Sequence, residues 1–177
     1  MTTTTIELLA APTDRDVDAL AELLVDTVEG GASVGFLLPL PVTEAVTWWR
    51  DVLADELTDT WVARDDAGAV VGCVRLTLAW KPNSRHRGEI SKLMVARSAR
   101  RQGLATRLMD VAESTAWARG LRLLLLDTET DSPAQPFYVA RGWRVVGVIE
   151  DYAATPYGEP AATTILELRQ PLRQPLG

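Results

Sequence analysis

Hydrophobic positions change their spacing repeatedly along the first part of the chain, and each change predicts a new element. Ile6–Ala10 is a short apolar strand candidate. Two segments with apolar residues at helical spacing follow; Thr13 is expected to cap the first and Thr43 the second, and Gly30 ends the first. Between them, Ala32–Val42 is an apolar, proline-interrupted loop that either packs into the core or lines a substrate site.

Turn-forming residues divide the middle of the chain. Thr60–Arg64 and Ala69–Trp80 read as two strands of a hairpin around Asp65–Gly68, and a basic loop, 81–88, follows. The segment from Glu89 then contains an apolar run typical of a strand that is covered on both faces, and after it comes a basic turn. From Gln102 the apolar residues recur at helical spacing, which predicts a long helix.

The last third predicts a compact alternation of elements. A buried strand at Leu121–Leu126 is followed by a short helix around Phe137 and Tyr138. Then come a strand at Arg144–Ile149, a turn-rich loop at 151–160 and a last strand at Ala162–Leu168. The order β-α-α-β-β-β-α-β-α-β-β predicts an α/β (α+β) fold, with a mixed six- to seven-stranded sheet and helices on both faces. One domain over 1–170 is expected, with an irregular tail over 171–177.

Composition restricts the function classes. The 177 residues are 47% hydrophobic and 24% charged, as in ordinary globular proteins, and the net charge of −6 argues against a nucleic-acid partner. A single cysteine, Cys73, and a single histidine, His86, leave no intrachain disulfide and no cysteine or multi-histidine metal centre. We expect a cytoplasmic protein without a membrane partner, because neither a signal peptide nor a membrane-spanning run is evident.

The junction between the basic turn and the long helix has the chemistry of an anion site. The first turn of a helix leaves backbone N–H groups without intrahelical partners, and the helix dipole adds positive charge there. Gly103 lets an anion approach the backbone, and Arg100 and Arg101 add charge. This pattern predicts a phosphate or pyrophosphate cradle; the alternative is a basic, solvated helix cap.

The segment Arg100–Ala105 resembles the Gln/Arg-x-x-Gly-x-Gly/Ala signature of the GNAT N-acetyltransferase superfamily. Three further motifs stand where that family has its own, namely Leu126–Thr128, Phe137–Tyr138 and Gly142–Trp143. The stretch from Glu89 to about Thr155 is most similar to the tabtoxin-resistance-type bacterial acetyltransferases. Alanine at position 105, where the family often has glycine, is an allowed variant.

The resemblance implies a GNAT fold in which strand 4 is splayed from strand 5, and acetyl-coenzyme A (acetyl-CoA) as co-substrate without a metal. It implies that the backbone of Leu93, Met94 and Val95 binds the pantetheine arm and polarises the thioester carbonyl. Tyr138 would contact the coenzyme and donate a proton to the departing thiolate. The pyrophosphate would be held by the cradle residues, which are Arg100, Arg101, Gln102, Gly103, Leu104, Ala105 and Thr106.

Acetyl transfer to an amine needs a route for the ammonium proton, and the sequence leaves that route open. Glu89 has the spacing from the cradle that the catalytic glutamate has in related histone acetyltransferases, and Asp127 ends the central strand, where ligands gather in open α/β sheets. A water chain and, more weakly, His86 are further routes. Cys73 is interpreted as a small buried hydrophobe rather than an acyl-accepting nucleophile.

These features predict an acyltransferase that moves an acetyl group to the primary amine of a small molecule in a ternary complex. A toxin-like or antibiotic-like amine, or an amino-acid derivative, is the expected acceptor. The expected acceptor contacts are Ser33, Phe36, Asp127 and Thr128, and a homodimer is a further expectation. The alternatives are a protein N-terminal or lysine acetyltransferase of the same fold and a non-catalytic acyl-CoA sensor.

Overall fold

The computed structural model describes residues 4–170, and the predicted tail at 171–177 lies outside the described residues. Four α-helices occur in that range, α1 (Asp14–Glu29), α2 (Val42–Leu53), α3 (Leu104–Ala118) and α4 (Ala134–Ala140). The strands are β1 (Thr5–Leu8), β2 (Thr58–Arg64), β3 (Val70–Leu78), β4 (Arg87–Val95), β5 (Leu123–Glu129), β6 (Arg144–Ala154) and β7 (Pro160–Arg169). A single 3₁₀ turn, Arg97–Ala99, links β4 to the loop before α3.

All seven strands described join one sheet in the order β1-β2-β3-β4-β5-β7-β6. Only the β4–β5 pair is parallel among them; the other neighbouring pairs are antiparallel. The predicted mixed sheet with helices on both faces is therefore confirmed. The antiparallel pairs flank a single parallel junction at the centre, and it is there that the site is built.

Alternating side chains of the central strands form two cores, one on each face of the sheet. On one face Cys73 and Met94 pack with α1 and α2. On the other face Leu76 and Leu124 pack against α3, whose Leu108 is fully buried. Each such buried aliphatic side chain contributes about 1.5–3 kcal/mol, so the two cores hold the central strands firmly from both sides.

Several element boundaries differ from the sequence prediction; β5, for example, spans Leu123–Glu129 rather than Leu121–Leu126. Two of the differences have a specific cause. Thr43 does not cap α2, since the helix begins at Val42 with Pro41 at the N-cap and no side-chain capping hydrogen bond. Pro41 has the extended backbone of an N-cap, with φ −64° and ψ 138°, and the exposed first turn leaves its free N–H groups to solvent. β6 extends to Ala154 rather than Ile149, because its pairing with β7 resumes after an irregularity between Ile149 and Ala153.

The start of α1 is fixed by a capping box that also joins it to β2. Thr13 N donates to Asp16 Oδ2 at 2.8 Å, and Asp16 N donates back to Thr13 Oγ1 at 3.3 Å. The Arg64 guanidinium donates to Asp16 Oδ1 at 2.5 Å. Burial acts to raise the pKa of Asp16, but the hydrogen bonds from Thr13 and Arg64 outweigh it and hold that pKa below its ordinary value.

Asp16→Ala is expected to lower the free energy of unfolding by about 2 kcal/mol, because it removes the carboxylate half of the capping box and leaves Arg64 without this partner. The exposed Asp18 on the same helix offers a control, Asp18→Ala, which is expected to change little. The folded pKa of Asp16 lies below its unfolded value, so its contribution is complete above about pH 4 and is lost as the pH falls through the folded pKa. Urea unfolding at several pH values measures this; an equal loss in both variants would contradict it.

Candidate active site

The parallel strands β4 and β5 separate at the centre of the sheet. Their register covers Arg87↔Leu123, Gly88↔Leu124 and Glu89↔Leu125 and stops there, although both strands continue. In the described part of the chain, the β5-facing peptide groups of β4 beyond Glu89 therefore have no strand partner. The splayed strands create a cleft with exposed backbone donors on one wall, as the family resemblance implies.

The predicted cradle lies at the end of this split, after β4. A cleft of about 250 Å³ is lined there by Val95, Ala99, Arg100, Arg101, Gly103, Leu104, Ala105, Thr106 and Phe137. Gly103 is the N-cap of α3 with φ +74°, and Arg101 has φ +61°. Arg100 Nε donates to Val95 O at 3.2 Å, which fixes the loop to the end of β4. Apart from its two chain neighbours, no described residue lies within 4 Å of a Cβ built on Gly103, so its surroundings are open.

Not every residue of the predicted coenzyme site faces this cleft. Gln102 does not line it, and Leu104 is 4% exposed and also packs into the α3-side core. Met94 is buried in the α1–α2 core, so only its backbone is available to a ligand. Arg97 is held by α1, because its Nε donates to Asp26 Oδ1 at 2.7 Å. The basic turn therefore leaves Arg100 and Arg101 as the arginines of the cleft.

The three predicted catalytic side chains lie near enough for the charge of Asp127 to act on both Glu89 and Tyr138. Glu89 occupies the last paired position of β4, opposite Leu125. Asp127 follows Leu125 by two residues on β5, so its side chain lies on the same face of the sheet as Glu89. Tyr138 on α4 is 7% exposed and packs edge-on against Phe137, with 5.4 Å between ring centroids.

The pKa shifts connect these groups electrostatically. Burial raises the pKa of Glu89, and the negative charge of Asp127 raises it further. The same two causes, in the same order, raise the pKa of Tyr138 to about 12. Asp127 itself is exposed, and β5 continues two residues beyond it to Glu129. Tyr138 is thus a neutral phenol at physiological pH, and Glu89 accepts a proton more readily than an ordinary glutamate.

The apolar loop between α1 and α2 both packs into the core and approaches the cleft. Leu40 is 7% exposed within the α1–α2 core. Phe36 is half-buried and packs edge-on against Trp48, with 5.3 Å between ring centroids. Leu38 N donates to Pro156 O at 2.8 Å, which ties this loop to the β6–β7 turn. The two loops therefore meet over the α1–α2 face of the sheet.

Ser33 and Thr128, the other two predicted acceptor contacts, differ in position. Ser33 lies half-buried in the same loop as Phe36. Thr128 lies on the face of β5 opposite to Asp127, and its hydroxyl is 3.2 Å from that of Ser132. Thr128 thus stays within β5 and directs its hydroxyl towards the loop before α4, away from the side chain of Asp127.

Three residues of the cleft region were not predicted from the sequence as functional. Lys92 and Arg75 are cations within the strands β4 and β3, and Trp48 belongs to α2. Lys92 Nζ lies 5.1 Å from the Trp48 ring centroid, and the Arg75 guanidinium lies 6.0 Å from it. A charged residue inside a strand that is covered on both faces was the signal available.

Within residues 4–170, no group of three or more histidine, cysteine, aspartate or glutamate side chains is arranged to hold a metal ion. None of the described helices is long and apolar enough to cross a membrane. Burial raises the pKa of Cys73 to about 12, so its thiol is protonated at neutral pH.

Comparisons with known proteins agree with this geometry. Over 146 residues the chain is 31% identical to an uncharacterized N-acetyltransferase from the hisH–hisA intergenic region of Azospirillum brasilense, covering 81% of this chain and 86% of the relative. The fold is similar to that of an N-acetyltransferase from Staphylococcus aureus Mu50, with a TM-score of 0.77, 18% identity and coverage of 94% and 98% of the two chains. It is also similar to a phosphinothricin acetyltransferase from Sinorhizobium meliloti in complex with acetyl-CoA, with a TM-score of 0.76, 18% identity and coverage of 94% and 88%.

A sequence profile of one enzyme family covers most of the elements that form the cleft. The profile describes the acetyltransferase (GNAT) family and matches residues 19–143, from α1 to the residue before β6. The splayed strands, the glycine-capped α3 and the carboxylates at the split all lie within that match. The chain belongs to the acetyltransferase (GNAT) family.

Proposed function

We propose that this protein is an acetyl-CoA-dependent N-acetyltransferase that acts on the primary amine of a small molecule by direct attack in a ternary complex. The observation that carries the proposal is the split between β4 and β5, with Glu89 at its closed end and the Gly103 cradle beyond its open end. The Leu126–Thr128 motif supports a place near the tabtoxin-resistance-type enzymes, and a toxin-like or antibiotic-like acceptor. The presence of acetyl-CoA in the Sinorhizobium enzyme supports the choice of donor.

The residues present fit the donor. A pyrophosphate needs N–H donors, positive charge and room for its oxygens; the start of α3, Arg100, Arg101 and the open space around Gly103 supply them. The unpartnered edge of β4 offers N–H groups for the pantetheine amides and for the thioester carbonyl. When bound, acetyl-CoA supplies an activated acetyl group, and no metal is needed for its transfer.

The side chains of the cleft then take distinct roles. Asp127, exposed in the cleft, binds the acceptor ammonium, and Glu89 accepts its proton, directly or through water. Tyr138 donates a hydrogen bond to the departing sulfur. Its pKa of about 12 exceeds the ordinary thiol pKa of about 8.5, so this hydrogen bond stabilises the thiolate without complete proton transfer.

Glu89→Gln is expected to lower kcat on the order of 100-fold, because the amide cannot accept the amine proton. In the wild type, kcat is expected to fall as the pH decreases through the raised pKa of Glu89, and this acidic limb is expected to vanish in the variant. Asp127→Asn is the matched comparison and is expected mainly to raise KM for the amine. If the acidic limb vanished in Asp127→Asn but not in Glu89→Gln, Asp127 would be the proton acceptor and Glu89 the residue that binds the amine.

Two alternatives predict different acceptor behaviour. A protein N-terminal or lysine acetyltransferase needs an open groove, whereas the hydrogen bond between Leu38 and Pro156 brings two loops together and favours a closed pocket. A non-catalytic acyl-CoA sensor needs the cradle but not Glu89, Asp127 and Tyr138 around one cleft. The small-molecule enzyme therefore agrees best with the arrangement.

Initial-rate kinetics test the proposed direct attack. Thiol release measured over both acetyl-CoA and amine concentrations is expected to give intersecting lines, and the intact mass of the protein is expected to stay unchanged after incubation with acetyl-CoA alone. Cys73 is fully buried and protonated, so it is not poised to carry the acetyl group. Parallel lines together with an acetylated protein would establish a covalent route instead.

A homodimer is supported by the outer strand of the sheet. Trp80 is the one exposed tryptophan among the described residues, whereas β6 is exposed along its whole length and carries five exposed apolar side chains, Val145, Val146, Val148, Ile149 and Tyr152. An apolar edge strand with both faces uncovered is a typical protein contact, and a second copy of the chain offers the same strand. Sedimentation equilibrium tests this; a mass of one chain at micromolar concentration would refute it.

A further inference from the structure

Lys92 has no part in the roles assigned so far, and its position is unusual for a lysine. Cys73 pairs with Met94 and Arg75 pairs with Ser91, so Val74 of β3 faces two residues of β4, Lys92 and Leu93. This is a β-bulge, and Lys92 takes φ +51° within it. A non-glycine residue in this conformation costs about 1–2 kcal/mol, and such local strain is concentrated at functional sites.

The Lys92 ammonium group lies between an aromatic ring and the acceptor-side loop. Its Nζ is 5.1 Å from the Trp48 ring centroid and 3.9 Å from a Cβ built on Gly35. Burial lowers the pKa of Lys92 and the charge of Arg75 lowers it further, while the negative charges of Asp127 and Glu89 act in the opposite direction without overcoming them. Within residues 4–170, Nζ makes no hydrogen bond and no ion pair at 4 Å or less. An ammonium on a half-buried lysine, with no carboxylate within 4 Å, is available to a ligand carboxylate.

Arg75 is the nearby cation, but its guanidinium is already engaged. Nε donates to Thr60 Oγ1 at 3.2 Å, and Nη2 donates to Val52 O at 2.7 Å. Arg75 therefore serves the packing of α2 against the sheet and adds positive potential, while the Lys92 ammonium is the group with donors to spare.

Charges of opposite sign thus border the same face of the sheet. Glu89, three residues before Lys92 on β4, and Asp127 on β5 supply the negative side, and Lys92 with Arg75 supplies the positive side. The negative pair and the positive pair do not neutralise each other, since no ion pair within 4 Å joins these four residues in the described chain. An acceptor with an amine at one end and an acid at the other would complement both.

Resting on the proposed acetyl transfer to a small amine, we propose that Lys92 binds the carboxylate of the acceptor, and that the acceptor class is an amino acid with an apolar or aromatic side chain. The amine lies between Asp127 and Glu89, the carboxylate replaces the missing partner of Lys92, and the side chain packs on Phe36 and Trp48. The cation–π contact with Trp48 holds the ammonium in place before the acceptor arrives.

Matched acceptors test this. Thiol release from acetyl-CoA is measured with leucine and leucinamide, and with phenylalanine and phenylalaninamide; in each pair only the carboxylate charge is removed. The wild type is expected to prefer the acid in kcat/KM, although the amide has the more readily deprotonated amine. Lys92→Met is expected to lower kcat/KM for the acids on the order of 10- to 100-fold, mainly through KM, and to leave the amides within about threefold.

Control variants separate recognition from folding. Lys81, whose Nζ lies 5.6 Å from the exposed Trp80 ring, gives the matched Lys81→Met, which is expected to behave as the wild type. Lys92→Arg keeps the charge and is expected to retain the preference for acids. The Kd for acetyl-CoA is expected to be the same in Lys92→Met and the wild type, which confirms an intact fold.

The results distinguish failure of this inference from failure of the proposed function. Equal kcat/KM for acids and amides, an equal effect of Lys92→Met on both, or turnover of simple alkylamines without turnover of any amino acid would overturn the assignment of Lys92 and leave acetyl transfer intact. Absence of thiol release with every amine would overturn the proposed function and the inference with it.

Discussion

Gly103→Glu is expected to weaken acetyl-CoA binding by at least about 100-fold. The new side chain extends from the N-cap of α3 into the open space of the cradle, where a pyrophosphate is expected to lie. A carboxylate about 4 Å from a phosphate repels it by roughly 4 kcal/mol at an effective dielectric constant of about 20, which exceeds a hundredfold change in Kd. Calorimetric titration with acetyl-CoA measures the loss.

Backbone strain must be separated from the charge in this experiment. Gly120, just beyond the other end of α3, has φ +79° against +74° for Gly103, and a Cβ would meet nothing within 4 Å at either position. Gly120→Glu thus adds the same charge and a similar strain away from the cradle, and it is expected to bind acetyl-CoA as the wild type does. Tight binding by Gly103→Glu, or equal weakening in both variants, would remove the cradle from the proposal.

Tyr138→Phe is expected to lower kcat on the order of 100-fold, with little change in the Kd for acetyl-CoA. The phenylalanine ring preserves the edge-on contacts with Phe137 and Trp143, so the substitution removes the hydroxyl and little else. Because the pKa of Tyr138 is about 12, its hydroxyl stays a donor through neutral and mildly alkaline pH. The proposed hydrogen bond to the sulfur is therefore available over the whole working range.

Tyr152→Phe is the control, because Tyr152 is 54% exposed on β6, the outermost strand of the sheet. Steady-state thiol release and calorimetry with both variants separate kcat from binding. Wild-type turnover in Tyr138→Phe would rule out its role at the sulfur. A loss of acetyl-CoA binding that matches the loss of turnover would assign Tyr138 to binding instead.

The fold was predictable from spacing because local pattern and tertiary structure agree over most of the chain. The helical repeat ending at Gly30 and the buried strand from Leu121 appear as α1 and β5. The failures lie where a boundary depends on pairing or on backbone preference. The N-cap of α2 is Pro41 and not Thr43. The extension of β6 to Ala154 depends on its pairing with β7.

The site was predictable where one segment carries it and not where distant segments meet. Gly103 and its arginines are consecutive in sequence, so the cradle could be recognised from its residues. Lys92 could not be assigned in the same way, because its environment depends on a β-bulge against Val74 and on Trp48 and Gly35 from other elements. A bulge leaves no periodic signal in a run of apolar residues, and cation–π contacts across elements leave none at all.

The central claim, amine-dependent consumption of acetyl-CoA, is tested most directly by measuring thiol release by the wild type with and without a panel of primary amines, and by identifying the product by mass spectrometry. The account predicts saturable acetyl-CoA binding, thiol release only when a suitable amine is present, and an N-acetylated amine in equal amount. Absence of acetyl-CoA binding would contradict both the proposed cradle and the proposed activity. Binding without release on any amine of the panel would contradict the proposed catalysis and favour a sensor.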